Sequence, residues 1–375
     1  MMYPRDIALP LNYWLEKNEI LILYGARQVG KTTLLGEILK EKQNTVIFNC
    51  ELPAVVDVLE SKDLSQIKAL FEDNIIIALD EAQKITNIGS ILKLIYDELP
   101  QYKLIATGSS SFELANRISE PLTGRNIKFR LYTLSLNEIK QRRNWLWVKE
   151  NLNSLIIYGT YPGIIDLSGS DKQIKLSELA SDYLFRDVLM HENIKNPALI
   201  RKLLKALALQ TGSQVSFNEL SGLLGVSRAT IEKYTDLLEK NFVIFSLPSY
   251  SSNLRNEIKK SRKFFFYDTG IRNAMIGDFK PLGNRVDAGA LWENFCISQR
   301  IIFNNVAKPN ANTYFWRTYD GAEIDLVEEH NGSLSVFEFK MKLKGKIRIP
   351  DSFVTKYSPE KISIIRHSNL FELLE

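Results

Sequence analysis

The sequence predicts an α/β protein of several domains: a parallel sheet at the amino end, a helical middle and a second α/β region at the carboxyl end. Three observations carry this. Short apolar runs alternate with amphipathic stretches through the first third, the rhythm of buried parallel strands joined by crossover helices. From 137 to 208 the apolar residues keep a helical period and β-branched runs become rare. After 264, strand-like runs return around a helix.

The 375 residues are 45% hydrophobic and 25% charged, values of an ordinary globular chain long enough for two to three cores, which excludes disordered, collagen-like and heptad-only classes. Lys and Arg number 48 against 44 Asp and Glu, and a net charge of +4 permits nucleic-acid contact without requiring it. Cys50 and Cys296 are far apart in apolar surroundings, which excludes a disulfide framework or a cysteine-rich zinc site and fits a reducing cytoplasm. His191, His330 and His367 share no metal-ligand spacing. With no signal-like region and no apolar run long enough to span a bilayer, the reading is a cytoplasmic protein without a membrane partner.

In chain order, strands are expected at 20–24, 45–49, 75–79 and 104–107, with helices at 31–42, 54–72 and 88–98 whose apolar residues recur every three or four positions. A turn is expected at Gly159-Thr160-Tyr161-Pro162-Gly163. Helices at 200–211, 217–224 and 228–240, with Gly225-Val226-Ser227 as a tight turn and Ser227 as N-cap, read as a helix-turn-helix followed by a wing strand at 242–248. The basic stretch 251–263 reads as linker or wing, and the run from Phe264 as the start of the last domain. That domain has a helix at 289–303 and strands at 314–318, 323–328 and 335–339. The expected domains are 1–135, 136–199 (helical lid or extension), 200–255 (winged helix-turn-helix) and 256–375.

Gly25-Ala26-Arg27-Gln28-Val29-Gly30-Lys31-Thr32, followed by Thr33, fits the phosphate-loop pattern and lies between a strand and a helix. Its glycines let the backbone curl round an anion so that N–H groups and the helix start point at phosphates. Lys31 supplies a cation for them, and Thr32 a hydroxyl for Mg²⁺. The run at 75–79 ends in Asp80 and Glu81, one carboxylate to hold the metal and one to polarise an attacking water. In isolation such a pair also reads as a solvated strand end. At the tip of the next strand Ser109, or failing it Thr107, offers a hydroxyl to the lytic water or γ-phosphate; alternatively these small residues cap a helix at 112–118.

The phosphate loop, Leu79-Asp80-Glu81-Ala82-Gln83-Lys84, the Thr107-Gly108-Ser109-Ser110-Ser111 strand end and Leu122-Thr123-Gly124-Arg125 together resemble the prokaryotic AAA-type P-loop ATPases that carry a carboxyl-terminal domain of unknown function. The resemblance implies ATP and Mg²⁺ as cofactors, ATP hydrolysis, and a sheet with the phosphate-loop strand central. It makes Arg125 a candidate arginine finger or phosphate sensor, where spacing alone suggests a surface charge. It also implies a homo-oligomer if that arginine acts in trans.

Residues 216–234 match a winged helix exposing Ser227, Arg228, Thr230, Lys233 and Tyr234, a surface for double-stranded DNA or, given the acids among them, for a protein partner. In the last domain Glu293, Asp325, Glu338 and Lys340 follow the order of the restriction-endonuclease-like fold, whose carboxylates hold Mg²⁺ beside a phosphodiester; an inherited fold without turnover is the alternative. Lys340, Lys342, Lys344, Lys346 and Arg348 recur at every second position, which suits either tracking of a phosphate backbone or protection of an edge strand. The function expected is an ATP-hydrolysing switch or motor, with coupling to DNA as one option. The alternatives are a DNA- or protein-binding regulator that holds ATP with little turnover, and an ATP-gated, Mg²⁺-dependent nuclease.

Overall fold

The computed structural model describes residues 2–108, 122–190, 196–251, 262–341 and 349–375. The expected helix at 112–118 and the cations at 342–348 lie outside them. The chain divides into two compact units, one of residues 1–132 with 187–192 and 240–242, the other of 133–186, 193–239 and 243–375.

The first unit runs α1 (Ala8–Leu15), β1 (Ile20–Gly25), α2 (Lys31–Leu39), β2 (Thr45–Asn49), α3 (Pro53–Ser61), α4 (Leu64–Phe71), β3 (Ile76–Asp80), α5 (Ile88–Glu98), β4 (Lys103–Gly108) and β5 (Asn126–Leu131). The strands form one sheet in the order β2-β3-β4-β1-β5, every pairing parallel. Crossover helices bury both faces of a parallel sheet. Every residue of β1 and β3 is accordingly buried, while the edge strands β2 and β5 are partly open. In α5, Ile88, Ile91, Leu92 and Ile95 form the buried stripe that a 3.6-residue period requires. The phosphate-loop strand β1 is interior, but β4 occupies the middle of the sheet.

The single helix expected over 54–72 is two. Lys62 adopts the left-handed conformation (φ 57°), and the Asp63 carboxylate accepts the Ser65 and Gln66 N–H groups, restarting the chain as α4. A side chain that satisfies the orphan donors of a new helix start competes with continuation of the old one.

The second unit begins with α6 (Leu136–Arg143), whose start carries a reciprocal Ser135–Glu138 capping box. It continues with α7 (Trp145–Tyr158), α8 (Pro162–Ile165), α9 (Gly169–Met190), α10 (Pro197–Leu209), β6 (Gln214–Val215), α11 (Phe217–Leu224), α12 (Arg228–Lys240), β7 (Ile244–Pro248) and β8 (Arg262–Phe266). Then come α13 (Thr269–Ile276), α14 (Ala288–Ala307), β9 (Asn312–Arg317), β10 (Glu323–His330), β11 (Ser333–Phe339), α15 (Asp351–Tyr357) and β12 (Lys361–Ile365).

The expected turn at 159–163 is fixed by a distant residue. Asp268 accepts the Thr160 N–H at 2.7 Å and caps α13 through the Ile271 N–H at 3.1 Å. Gly159, at φ 71°, passes so close that a Cβ there would lie 2.0 Å from the Asp268 carboxylate. Burial pushes that carboxyl up to about 6, against the three backbone N–H groups it accepts.

The run from Phe264 pairs with strands that precede it in the chain. As β8 it is the middle strand of a three-stranded antiparallel sheet, β6-β8-β7, with Phe245 opposite Phe265 and their rings stacked at 5.7 Å. Consecutive phenylalanines suit a strand buried on both faces, and 264–266 are all buried. The carboxyl-terminal sheet, β12-β11-β10-β9, is mixed: β9, β10 and β11 are antiparallel, and β12 adds parallel to β11.

Candidate nucleotide site and carboxylate cluster

The loop joining β1 to α2 has the backbone its sequence calls for. Gln28 (φ 60°) and Gly30 (φ 97°) are left-handed, so the chain reverses tightly before α2 begins at Lys31. Gly25 is sterically required, since a Cβ there would lie 2.2 Å from the Leu131 carbonyl oxygen of β5. Lys31 is buried and folds back over the loop, donating to the Gly25 and Ala26 carbonyls at 3.0 and 3.1 Å.

Asp80, at the end of β3, is buried. It accepts from the Thr32 hydroxyl (2.6 Å) and, through its other oxygen, from the Thr107 hydroxyl at the end of β4 (2.5 Å). Thr107 in turn accepts the Glu81 N–H at 3.1 Å. Glu81 is left-handed (φ 56°), an uncommon conformation for a non-glycine residue, and Gln83 donates to its carboxylate. Parallel pairing explains the convergence, because the carboxyl ends of β1, β3 and β4 lie side by side. Thr107, the second choice on sequence grounds, thus joins Asp80 to Glu81, and Ser109 lies outside the described residues. The oxygens of Thr32 and Asp80 form a hard donor pair suited to Mg²⁺. Burial, together with the charges of Asp80 and Glu81, pushes the nearby Cys50 thiol up to about 12, so it stays a neutral filler.

Sequence reading missed Arg5. Its guanidinium donates to the Val29 carbonyl of the loop at 2.7 Å and to the Tyr132 carbonyl after β5 at 2.6 Å, bracing the loop from outside. No local signal marks a residue that precedes the loop by some twenty positions.

Arg125 is placed differently from what a phosphate sensor within one chain requires. β5 pairs in parallel with β1 from Ile20↔Asn126 to Gly25↔Leu131, so Arg125 stands at the amino ends of the strands and the loop at their carboxyl ends. Five residue steps separate the two ends by about 17 Å. Arg125 is half exposed and pairs with Asp97 of α5 at 3.1 Å.

In the second unit, Ser227 caps α12 as expected by accepting the Thr230 N–H at 3.1 Å. Arg228 and Lys233 are exposed, with Arg228 paired to Glu232 at 2.7 Å. Tyr234 is not on the exposed face: it is buried beside Ile231, Leu237 and Leu238, the positions a helical period turns inward.

Glu293, Asp325, Glu338 and Lys340 come together. Lys340 Nζ lies 2.7 Å from Glu338 and 3.3 Å from Asp325, and Asp325 also accepts the Phe339 N–H at 2.8 Å. Two residues outside the expected set join them. Lys263 of β8 pairs with Glu293 at 3.2 Å and with Glu323 of β10. Burial first, then the Asp325 charge, raises the carboxyls of both Glu293 and Glu338. Burial alone would lower Lys340, but Asp325 and Glu338 outweigh it and hold the ammonium at about 12. Among the described residues, no group of three or more His, Cys, Asp and Glu side chains is arranged to hold a metal ion by itself. None of the described helices is long and apolar enough to cross a membrane.

The strand order and the loop define a P-loop nucleotide-binding fold, and comparison with known proteins agrees. Residues 17–140 match the family described as AAA domain, and residues 149–282 and 288–373 match two domains of unknown function, DUF8612 and DUF4143. Residues 17–140 are thus similar to the AAA-type P-loop ATPases, and the chain as a whole resembles uncharacterized bacterial and archaeal proteins. It is 29% identical over 341 residues to an uncharacterized protein of Mycobacterium tuberculosis, covering 90% of this chain and 73% of that one. It is 27% identical over 269 residues to an uncharacterized protein of Methanocaldococcus jannaschii, covering 66% and 59%. The Walker-type ATPase of Pyrococcus abyssi shares the fold at TM-score 0.53 and 17% identity, over 73% of this chain and 96% of that structure.

Proposed function

We propose that the chain binds ATP with Mg²⁺ in the loop of residues 25–33 and hydrolyses it, acting as a nucleotide-driven switch. The observation that carries this reading is the continuous network Thr32–Asp80–Thr107–Glu81 at the carboxyl end of the sheet, beside the loop. Loop amides and the Lys31 ammonium bind the phosphates, and Thr32 and Asp80 hold the metal ion. Glu81, oriented by the Thr107 hydroxyl and Gln83, takes up a proton from the attacking water. Bound Mg²⁺ supplies neutralisation of charge on the β- and γ-phosphates. Arg125, at the far end of the sheet, would reach a phosphate only in a neighbouring copy. The switch reading is tested with Glu81→Gln, which should keep ATP affinity and lose turnover by at least ~100-fold, the scale of a general base. Turnover in the variant equal to that of an active wild type would refute Glu81 as the base, and negligible turnover in both would favour the static regulator.

A second reading has its own observation. Residues 288–365 run α-β-β-β-α-β, and they bring Asp325 and Glu338 together on adjacent strands with Lys340 just past the end of β11 and Glu293 nearby on α14. This supports a restriction-endonuclease-like domain whose Asp325–Glu338 side suits one Mg²⁺. Double-stranded DNA is its proposed partner, with α12 contributing Arg228 and Lys233. Asp325→Ala should abolish Mg²⁺-dependent strand cleavage and leave ATP hydrolysis unchanged; persistent cleavage would refute this reading.

A further inference from the structure

Lys263 belongs to neither motif, yet it is more deeply buried than any of the carboxylates it faces. It is 2% exposed, on the middle strand of the three-stranded sheet, backbone-paired to Leu247 on one side and Gln214 on the other. Its Nζ lies between the Glu293 and Glu323 carboxylates and 5.5 Å from the centre of the Phe315 ring. Asn294, next to Glu293 on α14, accepts the Phe266 N–H at 2.9 Å and donates to the Phe266 carbonyl at 2.7 Å, clamping β8 to the helix. Gly212, left-handed at φ 77°, closes the other flank: a Cβ there would come 3.3 Å from the Glu293 carboxylate. The cluster thus holds four carboxylates and two buried or half-buried lysines, with the exposed Arg317 at its rim 3.7 Å from the partly exposed Glu323. Lys340 serves the Asp325–Glu338 side, and Lys263, delivered by a different sheet, serves the Glu293–Glu323 side.

We propose that Lys263 is a positioning residue that acts as the resident cation of the Glu293–Glu323 side, so that those two carboxylates are not available to a divalent ion. A buried carboxylate needs a partner, and a fixed ammonium supplies it without a metal. The inference goes beyond the nuclease reading and does not need strand cleavage. It does correct the donor set that reading would use, by removing Glu293 from it.

The test is Mn²⁺ binding to the nucleotide-free full-length chain, counted by electron paramagnetic resonance, with thermal melting alongside. Lys263→Met should melt lower than wild type without Mn²⁺, bind one more Mn²⁺ per chain than wild type, and regain melting temperature as that ion binds. Lys263→Met with Glu293→Gln should lose both the extra ion and the rescue. Lys263→Gln serves the same comparison if the methionine variant does not fold. An unchanged Mn²⁺ count in the folded single variants, or the same extra ion in the double variant, overturns the proposal. Asp325→Ala separates the two readings: a wild-type count that this variant leaves unchanged sinks the metal site of the nuclease reading, while the Lys263 comparison stands on its own.

Discussion

Thr107→Val is the sharpest probe of the network beside the loop. Valine keeps the shape of threonine in a site that is fully buried, so the change removes two hydrogen bonds and little else. One of them, donated at 2.5 Å to Asp80, goes to a carboxylate and contributes ~2 kcal/mol; the other, accepted at 3.1 Å from Glu81 N–H, leaves a backbone donor unpaired at a cost of ~1 kcal/mol. The first unit should therefore lose about 3 kcal/mol, read as a lower urea midpoint at unchanged slope. Thr32 still holds the other Asp80 oxygen, so nucleotide binding should survive while kcat falls, because Glu81 is no longer oriented. Thr107→Ser should restore both. A valine variant within ~0.5 kcal/mol of wild type, the range of ordinary surface changes, and with wild-type kcat would refute the network as the organising feature of the site.

Two further outcomes follow from ion pairs. Glu328 is held at about 2, since the fork of hydrogen bonds from Arg300 at 2.7 and 2.9 Å, with Lys308 and Asn304, outweighs the burial that would raise it. Its unfolded pKa is ~4.3, so the pair's contribution of about 3 kcal/mol is present above pH ~4.3 and lost as pH falls toward 2; Glu328→Gln should flatten that acid limb of the stability curve and cost ~3–5 kcal/mol at neutral pH by stranding buried Arg300. Arg125→Ala removes a half-exposed pair with Asp97 and should cost under ~1 kcal/mol while leaving ATP affinity unchanged in equilibrium titration; a large loss of affinity would contradict its placement at the far end of the sheet.

What was legible in the sequence was what short-range chemistry dictates. The glycine loop, the apolar strand ending in Asp80-Glu81, the stripe of α5 and the Ser227 cap all read correctly because neighbours in sequence are neighbours in space. The break at Lys62–Asp63 was a local signal that a continuous apolar period masked. The rest depends on pairing between distant segments. Resemblance made Arg125 a candidate arginine finger or phosphate sensor, while spacing suggested a surface charge; only the parallel register of β5 with β1 shows which end of the sheet it occupies. Phe264 opened a new apolar run, but only its pairing with β7 shows which sheet it joins. Arg5 and Lys263 reach their partners across 24 and 30 residues of chain, and nothing in their own neighbourhoods announces it.

The most direct measurement is steady-state ATP hydrolysis in Mg²⁺ by the wild-type chain and by Lys31→Ala, with ATP binding followed in parallel and double-stranded DNA added at low and moderate salt. Wild type should turn over ATP, and Lys31→Ala should lose that turnover together with nucleotide affinity; stimulation by DNA that fades with salt would add a nucleic-acid partner. Wild-type turnover no higher than that of Lys31→Ala would contradict the central claim.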